Sequence, residues 1–409
     1  MFLNLLRWTS VAVGVGWCGL LLGASGVHAE GLVFSSTLEV GVNAWAITPR
    51  EPDKPSAPSG LNGSAYNDHV NLFLPDSETR WNFRPVSPWA RFTTRTLLSP
   101  EMEFNLKARA DQWMGTRLDV AHLDWAPSPF VGLRTGVVSF NTQWCRTYDV
   151  DSPWIEDPDM ACRNQMFMAI TNAAPGVQAY VNTLMGDYQL QSIVGVYRPM
   201  LFSYETQEFG LNFRNLRSNF KREFNRKTSA ALNLVHLQTG SQMRLGWIHS
   251  DQAGDYTPQL TPQDRARHNL MEHFYWGVDT YLQPHWRLRY SISKFASRNF
   301  YDGVLVVRDH DKSETLELIH ELKSTDQLAL GWSQLRIASS VDDLAFANYQ
   351  RDDYYFSNSA SVQIAWRHQW GQGLHSALQW THAWQTNGYE GRRRPSSGDA
   401  IGMHWSYQF

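Results

Sequence analysis

Arginine is the residue type whose number and placement in this sequence could do chemistry. The 409 residues include 29 arginines and 7 lysines beside 39 acidic residues. A guanidinium group offers a rigid fork of hydrogen-bond donors that matches carboxylate and phosphate groups. Some arginines occupy every second position of alternating segments, as Arg287 and Arg289 do between Trp286 and Ile292. Such spacing predicts a charged face that contacts polar or anionic solutes.

Histidine and serine are the other candidates for chemistry, and their spacing does not predict an enzyme. His249 precedes Ser250, and His375 precedes Ser376. Adjacent side chains of a strand point to opposite faces, so neither pair can share a proton. The other histidines have no spacing suited to a zinc site. We therefore expect no catalytic residue, metal or cofactor. An enzyme such as a lipase or protease is the less favoured alternative.

The elements that must position these side chains alternate with period two from Gly31 to Phe409. Alternation places every second side chain on one face of a β-strand. Between Met102 and Asp111, for example, Met, Phe, Leu, Ala and Ala alternate with Glu, Asn, Lys, Arg and Asp. One face of such a strand requires hydrocarbon and the other requires water. This pattern is typical of a transmembrane β-barrel, in which the closed sheet pairs every backbone group within lipid.

The composition excludes several other classes of protein. Aromatic residues make up 13% of the chain, which is too much apolar surface for a disordered protein. After residue 29 no stretch of about 20 residues is apolar enough for a membrane-spanning helix. The formal net charge is −3. A chain with this charge has no electrostatic case for binding nucleic acid.

The sequence predicts one domain behind an export signal. Residues 1–29 have the pattern of a cleavable signal peptide, with a basic start, an apolar run and small residues before Glu30. Residues 30–409 are expected to form a single outer-membrane β-barrel. About 17 strands can be counted, and because bacterial single-chain barrels have even numbers, we expect 18 strands, with 16 as the alternative. Long polar stretches alternate with short turns and are residues 48–88, 141–174, 251–267, 298–312, 339–353 and 387–398.

The end of the chain carries the most specific motif. From Ile401 to Phe409 every odd-numbered residue is apolar, and the last is aromatic. This segment resembles the assembly signal of Gram-negative outer-membrane proteins, in which Trp405, Tyr407 and Phe409 would here be the recognised side chains. The chain therefore resembles the outer-membrane β-barrel porin superfamily, without indicating a subfamily.

The resemblance implies a function and a set of partners. We expect an outer-membrane channel for the diffusion of small polar or anionic solutes. A carbohydrate-selective channel is an alternative, because Tyr180, Tyr275 and Tyr281 share the inward phase and aromatic rings can stack on sugars. The expected partners are outer-membrane lipids and lipopolysaccharide, the barrel-assembly machinery and the solutes, with a homotrimer left open.

The segment from Asn141 to Ala174 resembles the porin constriction loop, which folds back into the barrel and narrows the channel. The acidic residues assigned to this loop are Asp149, Asp151, Glu156, Asp157 and Asp159. Cys145 and Cys162 are the two cysteines that remain after the signal is removed, and an exported chain favours a disulfide between them. Two free thiols and an ordinary surface loop are the alternatives.

Taking the apolar phase of each strand as lipid-facing assigns the other phase to the lumen. The basic residues of that phase are Arg91, Arg95, Lys107, Arg109, Arg117, Arg134, Arg244, Arg287, Arg289 and Arg367. Nearby acids in sequence favour ion pairs within the sheet for Arg109, Arg117 and Arg134. The arginines with fewer acids in their own strands, which we expect to face the solute opposite the acidic loop, are Arg91, Arg95, Arg287 and Arg289.

Overall fold

The fold was analysed in a computed structural model of the chain. The model describes residues 33–47, 82–111, 115–140, 152–155, 158, 173–197, 220–256, 267–301, 304–341, 351–389 and 392–409. Within these ranges no helix is long and apolar enough to cross a membrane. The signal segment 1–29 and Glu30 lie outside them, so the cleavage site stays a prediction.

The described residues form sixteen β-strands. Their bounds are β1 Val33–Ile47, β2 Asn82–Ser99, β3 Met102–Asp111, β4 Gly115–Ser128, β5 Val131–Ser139, β6 Ala173–Met185, β7 Tyr188–Tyr197, β8 Phe220–His236, β9 Gln242–Tyr256, β10 Arg267–Gln283, β11 Trp286–Tyr301, β12 Val304–Lys323, β13 Asp326–Val341, β14 Arg351–Gly371, β15 Leu374–Tyr389 and β16 Arg392–Gln408.

Each strand pairs antiparallel with its neighbours in sequence, and β1 pairs with β16 to close the barrel. The all-β barrel fold is confirmed with the alternative number of strands, sixteen in the described residues, and the first choice of eighteen is wrong. A strand expected over 205–215 lies outside the described residues. It cannot stand between β7 and β8, because these two pair directly, with Tyr197 opposite Lys227. The weak alternation after Phe220 belongs to β8 itself.

Successive connections alternate between the two ends of the barrel. Short turns at residues 100–101, 129–130, 186–187, 237–241, 284–285, 324–325 and 372–373 lie at the end that also carries the C-terminus. Gly186 in one of these turns has a φ of 60°, which glycine adopts without a steric cost. The longest connections, 48–81 and 140–172, join strands at the opposite end. This asymmetry is typical of outer-membrane barrels, whose long loops face the outside of the cell.

Two of the predicted polar loops are largely strand. Residues within 298–312 belong to β11 and β12, and residues within 387–398 belong to β15 and β16. The prediction treated the end of the apolar pattern as the end of the strand. Backbone pairing continues beyond that point, because it does not depend on which side chains the two faces carry.

The two faces of the barrel differ as expected for a sheet surrounded by lipid. Leu316, Leu330 and Ile364 on the outer phase are 41%, 49% and 44% exposed, whereas Ser333 and Gln363 on the other phase are fully buried. Residues 152–155 contact this second phase, so it faces the barrel interior. The apolar side chains therefore lie outside and the polar ones inside, the reverse of a soluble protein.

Candidate functional site

A segment of the β5–β6 connection lies inside the barrel. Trp154 and Ile155 are each only 2% exposed. The indole Nε1 of Trp154 donates a hydrogen bond of 2.9 Å to Glu317 Oε2 on β12. The backbone N–H of Ile155 donates one of 2.9 Å to Gln379 Oε1 on β15. These residues belong to the 141–174 segment, and in its described part the segment folds inward.

The inner surface beneath Trp154 is built from small residues. Ala329 and Ala365 form a buried cluster with Trp154 and Ile319. A Cβ atom at Gly331 would come within 3.0 Å of the Trp154 ring and within 3.2 Å of Pro158. Small side chains on β13 and β14 thus leave a recess for the indole ring. Because packing here is close, a larger residue at position 331 would displace the segment.

The docking position places this segment across the interior. In the ring of sixteen strands, β13 lies seven strands from β6 and eight from β5. The two ends of the connection and its docked residues are therefore on opposite sides of the barrel. Residues 152–155 therefore occupy part of the barrel interior, and narrowing of the channel by the whole connection stays a prediction.

Glu317, which binds Trp154, also belongs to an ion-pair network on the inner wall. Arg289 Nη1 is 2.9 Å from Glu317 Oε2, and Arg289 Nε is 3.1 Å from Asp279 Oδ2. Arg287 Nε lies 2.6 Å from the other oxygen of Asp279. The side chains of Arg289, Asp279 and Glu317 are at most 4% exposed. The two arginines and the two carboxylates balance in charge. The carboxylate of Glu317 also accepts the hydrogen bond from Trp154.

Arg91 and Arg95 are paired as well. Arg91 Nη2 lies 2.5 Å from Glu39 Oε2, and the two residues are direct partners on β2 and β1. Arg95 Nη2 lies 2.5 Å from Glu103 Oε2 on β3. Having few acids in their own strands does not leave these arginines, or Arg287 and Arg289, without an ion pair, and their contact with the solute stays a prediction. Each acid comes from a neighbouring strand, so the number of acids in an arginine's own strand does not decide its pairing.

Arg134 also contacts an acid of the adjacent strand, as its position near acids in sequence suggested. Its Nε lies 2.8 Å from Asp124 Oδ2 on β4. The other oxygen of Asp124 accepts a 2.8 Å hydrogen bond from Tyr180 OH on β6, and the guanidinium carbon stands 4.5 Å from the centre of the Tyr180 ring. Arg134, Asp124 and Tyr180 therefore form one charged and aromatic cluster.

A row of arginines runs across β2, β3 and β4. Arg91 is the direct partner of Arg109, and Arg109 is the direct partner of Arg117. Glu39 stands at the β1 end of the same row. The backbone register thus aligns three cationic positions with one acid. The side chains of Arg109 and Arg117 lie outside the described part of the molecule.

The remaining basic residues of the predicted lumen are placed on the same inner phase. Lys107 lines a cavity of 690 Å³ next to β2–β6, together with Arg95, Glu103, Asp124, Arg134 and Tyr180. Arg367 contacts Gln327 Oε1 at 3.4 Å and His375 Nδ1 at 3.2 Å. The cavity is therefore lined by both basic and acidic side chains within one sector of the interior. The role of these residues in solute passage stays a prediction.

The tyrosines proposed for sugar stacking differ in access. Tyr275 is 1% exposed and Tyr180 is 7% exposed, so neither presents a free ring face. Tyr281 is 36% exposed and has the Arg287 guanidinium 5.5 Å from its ring centre. A continuous aromatic path is thus not formed by these three residues.

Several predicted site residues fall outside the described residues. These are Asp149, Asp151, Glu156, Asp157 and Asp159 of the inward loop, and both Cys145 and Cys162. The acidic face and the disulfide stay predictions. The residues of the site that the sequence did not reveal are Trp154, Glu39, Asp124 and Gln379. Only Trp154 could have been suspected, because it is an apolar residue within a polar stretch.

A serine and a histidine are in contact in the described part of the interior. His273 Nε2 lies 3.3 Å from Ser293 Oγ, and the two residues are 4% and 5% exposed. In the described part of the chain no carboxylate orients this histidine, and no cluster of His, Cys, Asp or Glu could hold a metal ion. The contact lacks both solvent access and the third group that activates a serine nucleophile.

The described residues form a closed antiparallel barrel with an apolar exterior, a polar interior and residues 152–155 of one connection docked inside it. Solved structures agree on the fold. The outer-membrane channel DcaP of Acinetobacter baumannii matches with a TM-score of 0.57 and 10% identity over 93% of this chain and 98% of its own. The anion-selective porin from Comamonas acidovorans matches with 0.52 and 10% over 92% and 100%.

OmpT, an outer-membrane protein of Vibrio cholerae, matches with a TM-score of 0.53 and 8% identity over 94% of this chain and 99% of its own. No family model and no curated protein sequence matches. The chain therefore shares the closed-barrel fold of these solved proteins.

Proposed function

We propose that this protein is a bacterial outer-membrane channel for the diffusion of small polar or anionic solutes. The observation that carries the proposal is the position of Trp154 and Ile155. They bind β12 and β15 from a connection that begins on the opposite side of the barrel. A segment that narrows a polar interior, rather than filling it with apolar side chains, suits selective passage.

The solute class follows from the charges of the inner phase. Strands β2–β4 carry six basic residues against four acidic ones, and the aligned positions Arg91, Arg109 and Arg117 are three of the six. The ion pairs of Arg287 and Arg289 are balanced by Asp279 and Glu317. The excess of positive charge therefore lies on β2–β4, and a small anion gains most from passing there.

Planar-bilayer recording tests the proposal. The refolded protein should give stepwise conductance, and in a potassium chloride gradient the reversal potential should have the sign of anion preference. A barrel that inserts without conductance would refute the channel. Cation preference would refute the solute class and leave the channel intact.

The proposal extends to a homotrimer. A solved OmpT of Vibrio cholerae has a trimer form, with a TM-score of 0.51 to this chain. Light scattering of the detergent-solubilised protein should give a protein mass of three chains. A mass of one chain would refute this assembly.

A further inference from the structure

The outer surface of the barrel carries three basic residues in direct register. Lys294 on β11 is the direct partner of Lys312 on β12, and Lys312 is the direct partner of Arg336 on β13. All three belong to the outward phase, the same phase as the exposed Leu316 and Leu330. Like charges placed directly opposite each other on neighbouring strands repel. An anion bound across the three side chains would offset this repulsion.

Local acids compensate only part of this charge. Glu314 forms an ion pair with Lys312 on the same strand. Arg336 Nη2 contacts the neutral Gln334 Oε1 at 3.4 Å, and no ion pair joins it to a residue of the described strands. Lys294 is exposed, and no ion pair joins it to a described residue. Glu272 on β10 lines the same groove as the three basic residues, which therefore keep an excess of one positive charge over Glu314 and Glu272.

The row continues into an aromatic platform. Phe274 on β10 is the direct partner of Lys294, and Trp247 on β9 is the direct partner of Phe274. Their side chains are 43% and 39% exposed. Phe274, Trp247 and the three basic residues line one groove of 390 Å³. The groove thus joins a cationic end to an apolar end, as an amphiphile requires.

The position of the row along the barrel fits the boundary between hydrocarbon and headgroups. Lys294 lies eight residues beyond Trp286, which begins β11 beside the short turn. A strand that rises about 3.3 Å per residue and tilts by about 40° raises Lys294 by roughly 20 Å. The apolar band of such barrels is about 25 Å tall. The basic row therefore stands near the edge of the band on the side of the long connections.

We propose that Lys294, Lys312 and Arg336 form a binding site for a phosphate-bearing acyl lipid of the outer leaflet. The phosphate accepts hydrogen bonds from the three cations, and the acyl chains lie against Phe274 and Trp247. Strand spacing of about 4.8 Å sets the outer two cations roughly 10 Å apart, which suits one bridging phosphate or two phosphates on one headgroup. The site is independent of the channel interior, because its side chains point away from it.

The test uses the full-length refolded protein in a neutral detergent. Native mass spectrometry would titrate diphosphorylated lipid A and the same lipid without phosphates. The protein should bind the phosphorylated form at least tenfold more tightly. The triple variant Lys294→Gln, Lys312→Gln and Arg336→Gln should lose this preference. Lys323→Gln is the matched control, because Lys323 lies on β12 like Lys312 but at the short-turn end. This variant should retain the preference for the phosphorylated lipid.

Two results would overturn the proposal. One is equal binding of the phosphorylated lipid by the triple variant and the unaltered protein. The other is full displacement of the lipid by millimolar inorganic phosphate, which would make the groove a free-anion site. Thermal unfolding in detergent guards against a misfolded variant. Without lipid the triple variant should melt no lower than the unaltered protein, because repulsion is removed, and lipid should raise the melting temperature only of the unaltered protein. If the triple variant does not refold, Lys294→Gln alone should weaken lipid binding severalfold, and unchanged binding would refute the site.

Discussion

The Trp154 indole and the Glu317 carboxylate join the inward segment to the barrel wall through a 2.9 Å hydrogen bond. The same oxygen, Glu317 Oε2, also lies 2.9 Å from Arg289 Nη1. An indole N–H alone would not hold a buried carboxylate, since a buried charge requires an opposite charge. Arg289 supplies it. The position of Trp154 therefore depends on Arg289 through the carboxylate that both side chains share.

Removing the Trp154 ring should widen the channel. In Trp154→Ala the recess beside Gly331 empties and the hydrogen bond to Glu317 is lost, so the segment keeps only the Ile155–Gln379 hydrogen bond of the two described above. Single-channel conductance should rise. Gly331→Leu should have the same effect by a different route, because a larger side chain occupies the space of the ring.

Trp154→Phe is the matched control for this prediction. Phenylalanine keeps most of the apolar contact with Ala329 and Ala365 but cannot donate to Glu317. Its conductance should lie between those of the unaltered protein and Trp154→Ala. Equal conductance in all of these proteins would show that the segment does not set the width of the channel.

Arg289 should contribute far more to stability than Arg95. The Arg289 side chain is 4% exposed between two carboxylates, whereas Arg95 is 68% exposed beside one. Removing one partner of a buried pair costs about 3–5 kcal/mol, while an exposed pair contributes about 0–1 kcal/mol. Urea unfolding of Arg289→Ala and Arg95→Ala in lipid vesicles measures both. Equal losses would contradict the burial argument.

The fold was predictable because strand alternation in lipid is a strong constraint. A segment such as Met102–Asp111 has only one face that hydrocarbon accepts, so its phase and its inner and outer residues follow from the sequence. The number of strands was less secure. The first residues of β8 alternate weakly, and pairing of Tyr197 with Lys227 is a long-range contact that no local pattern reveals.

The site was less predictable than the fold because it depends on cross-strand register. Glu39 and Arg91 are 52 positions apart in sequence, and a shift by one residue would place them on opposite faces. Trp154 depends on a recess formed by Gly331, Ala329 and Ala365, whose small size means little until the strands are adjacent. The sequence therefore predicted which residues face inward but not which ones are paired.

Deleting Phe409 should impair assembly. Its backbone N–H donates a 2.8 Å hydrogen bond to Leu38 O at the seam of the barrel, and its ring stands 4.6 Å from that of Tyr407. The ring itself is exposed and thus free to be recognised. Membrane fractionation should show less inserted protein for the deletion, whereas Phe409→Tyr should insert normally. Normal membrane levels of the deletion variant would count against an assembly signal here.

Cys145 and Cys162 should be bonded in the exported protein. Closing the 16 intervening residues would reduce the freedom of the unfolded chain by about 3 kcal/mol in the entropy model. A thiol reagent applied to denatured, unreduced protein should label neither cysteine, and prior reduction should expose both. Labelling of both without reduction would show two free thiols.

The arginine row on β2–β4 should set ion preference. The register aligns Arg91, Arg109 and Arg117, and Glu39 balances one of them. Each further charge changes the energy of an ion about 8 Å away by roughly 0.5 kcal/mol in water, before screening by salt. The double variant Arg109→Gln and Arg117→Gln should therefore lower the anion-to-cation permeability ratio by about twofold to fivefold. Reversal potentials in a salt gradient measure this ratio, and Arg336→Gln on the outer face is the control that should leave it unchanged. An unaltered ratio in the double variant would show that ions pass along another sector of the interior.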